Sequence, residues 1–258
     1  LTIRQNAHIL RHWRTACSCP LSWSRTWIIK WRDSHINQYE LKLNPLSLIL
    51  LLSLIAGTLL LIHISLTIYH YQVSEIPWLV RQLFDVDEEY NIPTWFSSAN
   101  LLLAATLTLV QARKKWLERD KWRVHWMLLG WGFLLLSLDE MAGLHESFNI
   151  VTEASWAVYA LPLIVVLVLV FMRFLYYLPV RTAALLVLSG LIFLGGAVGV
   201  ELATEPFLYN DELDTLAYNL WTPVEEGMEM FGVILFQYTI LDYMGSGKGF
   251  SCKVEFSK

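Results

Sequence analysis

Three groups of carboxylates lie at one end of the apolar segments of this 258-residue chain. The first lies within residues 137–146 and includes one histidine, the second is Glu201 with Glu205, and the third lies within residues 225–229. Carboxylates and imidazoles are common ligands of divalent metal ions in proteins. These residue types and their positions therefore predict a cation site at this end of the molecule.

The predicted ligands are the acidic and histidine side chains that lie at the membrane edge or deeper: Asp139, His145, Glu146, Glu201, Glu226 and Glu229. Glu229 lies roughly two turns inside its segment and Asp139 about one turn inside, where an unpaired charge costs several kcal/mol. Acids at that depth need a metal ion, a proton or a counter-charge. We therefore predict that Glu229 and Asp139 are also the catalytic residues.

Helical geometry groups the ligands of the first acidic segment. If the helix continues through Gly143, then Asp139, His145 and Glu146 share one face. Glu140 points away from that face. The arrangement predicts that three ligands of one ion come from this segment.

Two prolines predict helix ends near the other acidic groups. Thr222-Pro223-Val224-Glu225 matches a capping box, with threonine at the cap and glutamate three residues later. Glu225 is therefore predicted to be a structural cap and not a ligand. Pro206 is predicted to end the preceding helix just after Glu205.

The donor set narrows the choice of cation. Carboxylates with at most one or two histidines favour hard or borderline divalent metals, so the expected cofactor is calcium, iron, manganese or zinc. In such a site the metal activates water or a substrate oxygen. A neighbouring carboxylate then moves the proton.

The composition indicates the elements that must position this site. With 55% hydrophobic residues and a mean hydropathy of +0.45, the chain is too apolar for a soluble domain of its length. Uninterrupted apolar runs of about 18 or more residues are typical of membrane-spanning helices. The predicted fold is an all-α polytopic bundle of six transmembrane helices, at about 46–70, 93–112, 124–143, 155–177, 182–203 and 222–243. No small-residue cleavage site follows the first run, so we expect no cleavable signal peptide.

Local signals place the ends of some of these helices. Asn44-Pro45 and Asn91-Ile92-Pro93 each combine a cap residue with a proline at the start of a helix. Residues 74–84 are short and partly apolar, which favours a helix lying at the membrane interface. An acidic turn at residues 85–89 follows it.

The distribution of charge predicts the orientation. Every lysine and arginine except Arg81 falls within residues 1–44, 113–123, 173–181 or 244–258. By the positive-inside rule these segments, and with them both termini, are cytoplasmic. The acidic face is then periplasmic or extracellular, and we expect a multi-pass protein of a bacterial inner (plasma) membrane.

The same segments define the predicted domain organisation. Residues 1–44 form a basic, tryptophan-rich cytoplasmic or interfacial segment, 45–243 the transmembrane domain, and 244–258 a cytoplasmic tail. Topology accounts for the basic N-terminal stretch, so no nucleic-acid partner is expected. Membrane lipids are the expected partners.

A local resemblance adds a second candidate site. The segment from Asp85 to Phe96, with its acidic stretch followed by Thr-Trp-aromatic, resembles the segment before the first helix of alkaline-ceramidase-like (CREST superfamily) membrane hydrolases. In that family this stretch binds calcium. The resemblance implies a secondary cation site at Asp85, Glu88 and Glu89. The zinc-ligating histidines of that family are not matched.

Three functions fit these observations. The first is an integral membrane protein with an outward-facing carboxylate/histidine cation (metal) site, acting as a metal-dependent enzyme, such as a hydrolase, on a lipid-like substrate. The second is a non-catalytic subunit of a larger membrane complex, whose partners are other membrane subunits. The third is a cation or proton transporter. That function calls for charge near the bilayer midplane, whereas the acids here lie at one face.

Overall fold

The fold is given by a computed structural model that describes residues 38–42, 44–144, 155–210, 212–245 and 251–255. The helices within these ranges are α1 (Pro45–Gln72), α2 (Trp78–Phe84), α3 (Ile92–Leu117), α4 (Arg123–Ala142), α5 (Trp156–Tyr177), α6 (Val180–Leu194), α7 (Glu201–Tyr209) and α8 (Leu216–Gly245). A π-helical segment, Gly195–Val200, joins α6 to α7 without a break. The prediction of a helical bundle is confirmed for the part of the chain between residues 44 and 245 that is described.

Two short strands lie outside this bundle. Strands β1 (Gln38–Lys42) and β2 (Ser251–Glu255) pair as a two-stranded sheet. By its internal contacts Glu40–Lys253 forms a compact unit, to which all the helices given above belong.

In the part of the chain that the structure describes, four helical stretches are long and apolar enough to cross a membrane, as expected for a multi-pass membrane protein: α1, α3, α5 and Val180–Phe207. The predicted first, second, fourth and fifth spans correspond to them. Helices α4 and α8 occupy the positions of the other two predicted spans. They carry several charged residues, including the acidic clusters.

The predicted starts of the first two spans are confirmed at the level of single hydrogen bonds. The side chain of Asn44 accepts a hydrogen bond from the backbone N–H of Leu46 at 3.0 Å. The side chain of Asn91 accepts from the backbone N–H of Thr94 at 3.1 Å. Each asparagine satisfies an N–H group that the first helical turn leaves without a partner.

Two predicted helix ends are wrong, and one of them has a clear physical reason. Helix α8 begins at Leu216 and contains Pro223, and the helix that carries Pro206 continues to Tyr209. A proline inside a helix leaves the carbonyl four residues earlier without its usual N–H donor. The carbonyl of Asn219 instead lies 3.4 Å from the donating hydroxyl of Thr222 and 3.3 Å from a ring nitrogen of His63.

Helix α4 also ends too early to place Asp139, His145 and Glu146 on one helical face. It stops at Ala142, and Gly143 adopts the left-handed conformation with φ 59°. This conformation is typical of a glycine that follows the end of a helix. The prediction that one helical face continues from Asp139 to Glu146 through Gly143 is therefore wrong.

Helix α8 packs against α1, α3 and α6, and α3 packs along α4. Glycines allow the closest approaches between these helices. A Cβ atom at Gly232 would lie 2.8 Å from the backbone nitrogen of Phe193, and one at Gly196 would lie 2.7 Å from the carbonyl oxygen of Glu225. Helices α6 and α8 therefore meet almost backbone to backbone. By contrast, α5 buries few of its residues.

A buried polar network joins α1, α2 and the start of α8. The backbone N–H of Val86 donates to Nδ1 of His63 at 3.2 Å, so that nitrogen is an acceptor. The remaining ring proton is then on Nε2, which faces the carbonyl of Asn219. Asp85 lies 3.3 Å from the His63 ring and 3.6 Å from the guanidinium of Arg81.

Asn219 closes this network from the side of α8. Its side-chain oxygen accepts from Arg81 at 3.3 Å, and its amide nitrogen donates to the carbonyls of Leu213 and Thr215. The same nitrogen lies 3.3 Å from the hydroxyl of Tyr71, on α1. Arg81, the single basic residue outside the basic loops, is thus placed by the start of α8. Trp78 and Leu79 of α2 are exposed; the position of α2 at a membrane interface stays a prediction.

We expect Gly232→Ala to destabilise the protein by about 1–3 kcal/mol, because the new methyl group overpacks the contact with Phe193. Thermal unfolding in detergent measures the effect. Gly57→Ala is the matched control, since a Cβ at Gly57 has no atom within 4 Å. An equal loss of stability in both variants, or none in Gly232→Ala, would contradict the close helix packing.

We expect Asp85→Asn to lower the free energy of unfolding by about 1–3 kcal/mol, because it removes the carboxylate that faces Arg81 and His63 in a buried site. Thermal unfolding at constant detergent concentration checks this. Glu88→Gln serves as the control, since Glu88 is exposed and its side chain accepts a hydrogen bond from the amide of Gln82 at 3.0 Å. Equal melting temperatures for the two variants would show that the network contributes little.

A candidate cation-binding cavity

Most of the acidic residues predicted from the sequence meet in one cavity of about 370 Å³. Its walls come from α4, α5, α6, the π-helical segment, α7 and α8, with one residue each from α3 and the loop before it. Seven carboxylates line it: Asp87, Asp139, Glu140, Glu201, Glu225, Glu226 and Glu229. No lysine, arginine or histidine of the described residues lines the same cavity.

Four of the predicted ligands are therefore brought together: Asp139, Glu201, Glu226 and Glu229. The other two, His145 and Glu146, lie outside the described residues. Glu205, which was considered an end residue, does not line the cavity; its carboxylate accepts a hydrogen bond from the hydroxyl of Tyr209 at 3.2 Å.

Three further carboxylates were missed by the sequence analysis. Glu225 was predicted to be a cap. Helix α8 begins nine residues before it, so Glu225 is not at a helix end, and its side chain lines the cavity. Glu140 was predicted to point away from the face of Asp139, yet both residues line the cavity. Asp87 reaches the cavity from the acidic turn.

A periodic signal would have found the α8 wall. Once the helix is taken to start at residue 216, five of its cavity-lining residues recur at the spacing of one helical face: Tyr218, Thr222, Glu225, Glu226 and Glu229. The error at Pro223 concealed this pattern. The wall that α8 contributes is thus a continuous polar face.

The π-helical segment brings α8 close to the second acidic group. A Cβ at Gly196 would lie 2.7 Å from the carbonyl oxygen of Glu225 and 3.2 Å from Cγ of Glu229, so a glycine here lets the backbone of α8 approach closely. Single π turns within α-helices occur often at functional sites. Glu201 follows the segment directly, and its carboxylate accepts a hydrogen bond from the hydroxyl of Ser155 at 2.9 Å.

Tyr218 lies in the first turn of α8 at the acidic end of the cavity. Its hydroxyl donates to the carboxylate of Asp87 at 3.5 Å. Burial, together with the neighbouring carboxylates of Asp87, Glu225 and Glu201, raises the pKa of Tyr218 well above its usual value. The phenol therefore stays protonated at neutral pH and acts as a hydrogen-bond donor.

The cavity is not a preformed ligand cage within the part of the chain that is described. No group of three or more histidine, cysteine, aspartate or glutamate side chains there is arranged to hold one metal ion. The carboxylates are spread around the wall of the cavity. Such a spread suits a cation that keeps part of its water shell, or an organic cation.

The three acidic residues of the secondary site predicted by resemblance each have a different partner in the structure. Asp85 belongs to the network with Arg81 and His63, and Glu88 accepts a hydrogen bond from Gln82. Glu89 lies against Gly143, where the absence of a side chain leaves room for the carboxylate. The acidic turn thus connects α1 and α2 to the end of α4.

Comparison with known proteins shows a match to one family model. The model is described as "Domain of unknown function (DUF8692)", and it matches residues 48–243. Neither the curated proteins nor the solved structures give a significant match. The likeness to alkaline ceramidases over residues 85–96 stays a prediction. Because the family model covers the chain from α1 to α8, which is well over half of its length, the chain belongs to the DUF8692 family.

Proposed function

We propose that the protein is a six-helix membrane protein whose outward-facing cavity binds a cation. On this proposal α4 and α8 cross the membrane together with the four more apolar spans, and both termini are cytoplasmic. The basic segments at residues 113–123 and 173–181 then lie at the cytoplasmic ends of α3, α4, α5 and α6. The cavity lies towards the other ends of α4, α5 and α6, which places it at the outer face.

One observation carries the proposal: the carboxylates of four different segments line one cavity together with no basic side chain of the described residues. On α8 the spacings of Glu225 and Glu226 from Glu229 are four and three residues, which makes them neighbours on the helix surface. Negative charges on such neighbouring carboxylates repel each other. A cation bound among them would offset this repulsion.

The carboxylates and hydroxyls that line the cavity bind through oxygen, which favours a hard divalent cation. Calcium and manganese accept several carboxylate, carbonyl and water oxygens at once. The hydroxyls of Tyr218 and Thr222 line the same cavity and are suited to hold the water shell of such an ion. The metal-dependent hydrolase acting on a lipid-like substrate stays a prediction, in which Glu229 and Asp139 would be catalytic.

We expect the purified full-length protein to bind Mn²⁺, and the double variant Glu226→Gln with Glu229→Gln to bind it at least about tenfold more weakly. Two charge-bearing ligands are lost without a change of shape, and each charge-assisted contact contributes about 1.5–3 kcal/mol. Electron paramagnetic resonance of free Mn²⁺ measures the affinity directly. A rise of the melting temperature with Mn²⁺ concentration gives an independent readout.

Glu205→Gln is the matched control, because Glu205 lies on the neighbouring helix α7 but does not line the cavity. It should leave the Mn²⁺ affinity unchanged. Equal affinities of the wild type and the double variant would refute the proposal. So would a wild-type protein that binds no Mn²⁺ at millimolar concentration.

A further inference from the structure

A second cavity adjoins the acidic one on its cytoplasmic side. It has a volume of about 200 Å³ and an almost wholly apolar lining. Residues from four helices form it, among them Phe133, Phe171, Gly190 and Val233. Along each helix these residues lie farther from the outer face than the carboxylates do, so the apolar cavity lies deeper in the bundle.

The two cavities share part of their walls. Leu136 and Phe193 line both of them. Phe193 is held in place by the close contact of its backbone with Gly232. These two side chains therefore form the boundary between an acidic outer compartment and an apolar inner one.

The outer cavity is itself amphipathic. Its carboxylates are joined by an apolar wall that includes Leu163, Ile164 and Leu167 of α5. The same helix continues into the inner cavity through Phe171 and Phe174. Helix α5 buries few residues, so both cavities are walled on one side by a helix that is largely exposed to the bilayer.

We infer that the two cavities together bind a single-chain amphiphile with a cationic amine head group and a hydrocarbon tail. This inference rests on the proposed function, and it names the class of cation. The ammonium group lies among Glu225, Glu226 and Glu229, which supply the complementary charge. The tail passes Leu136 and Phe193 into the apolar cavity, which has almost no polar group to hold water.

The charge of the head group decides between this ligand and ordinary lipid. Hydrocarbon gains little by moving from the bilayer into an apolar cavity, since lipid tails already provide an apolar environment. Binding must therefore depend on the ammonium group and its contacts with the carboxylates. A tail with a carboxylate head group would be repelled by the same wall.

The test uses dodecylamine that carries a photoactivatable diazirine in mid-chain, with the full-length protein in phosphatidylcholine nanodiscs. We expect saturable labelling of residues around Phe171 and Gly190, mapped by mass spectrometry and removed by an excess of unlabelled dodecylamine. Gly190→Leu should reduce this labelling by about tenfold, because the leucine side chain would occupy space in the cavity that the tail needs.

Gly132→Leu is the matched control for Gly190→Leu. A Cβ at either glycine has no atom within 4 Å, but only Gly190 lines the apolar cavity. Thermal unfolding of both variants checks that they are folded. Retention of labelling in Gly132→Leu and its loss in Gly190→Leu support the inference. Equal labelling of the two variants overturns it.

Two further outcomes separate this inference from the proposed function. If the wild type binds Mn²⁺ but an excess of unlabelled dodecylamine does not reduce its labelling, the inference that the cavities bind an amphiphile is refuted. The proposed cation cavity is then unaffected. If a fatty acid with the same diazirine labels the cavity as well as the amine does, the charge argument is refuted. If the wild type binds no Mn²⁺ at millimolar concentration, the proposal that the acidic cavity binds a cation is itself refuted.

Discussion

The close approach of α8 to the glycines of α6 and the π-helical segment is the constraint on which the rest of the structure depends. At Gly196 and Gly232 a single added carbon atom would collide with the opposite helix. Because these positions have no side chain, a helix that bears three glutamates can pack in the centre of the bundle. The same contact directs Glu229 into the acidic cavity and fixes Phe193 at the boundary of the apolar one.

A second constraint acts at the outer end of α8. Pro223 deprives the Asn219 carbonyl of its usual donor, and the network of His63, Arg81 and Asp85 surrounds that position. The proline thus does not end the helix; its cost is offset by side chains from α1 and α8 itself. This allows α8 to start two turns earlier and to present one more stretch of its polar face, including Tyr218 and Thr222, to the cavity.

The sequence predicted much of this arrangement, and its errors have a common cause. Apolar runs and the caps at Asn44 and Asn91 are local features, so the helices and their starts were recoverable. The roles of Glu225 and Glu140 depended on whether a helix passes through Pro223 or Gly143. Partners more than a hundred residues away, such as His63 for Asn219, decide the first of these. The pattern of residues around Pro223 does not reveal partners that are so distant in the sequence.

The position of a bound cation would show directly whether the acidic cavity is a cation site. Anomalous scattering from crystals of the full-length protein grown with Mn²⁺ would locate the ion independently of any binding assay. We expect an anomalous peak inside the acidic cavity, within coordination or water-bridged distance of Glu201, Glu226 and Glu229. A peak only at the acidic turn of Asp85, Glu88 and Glu89, or no ordered manganese at all, would contradict this expectation.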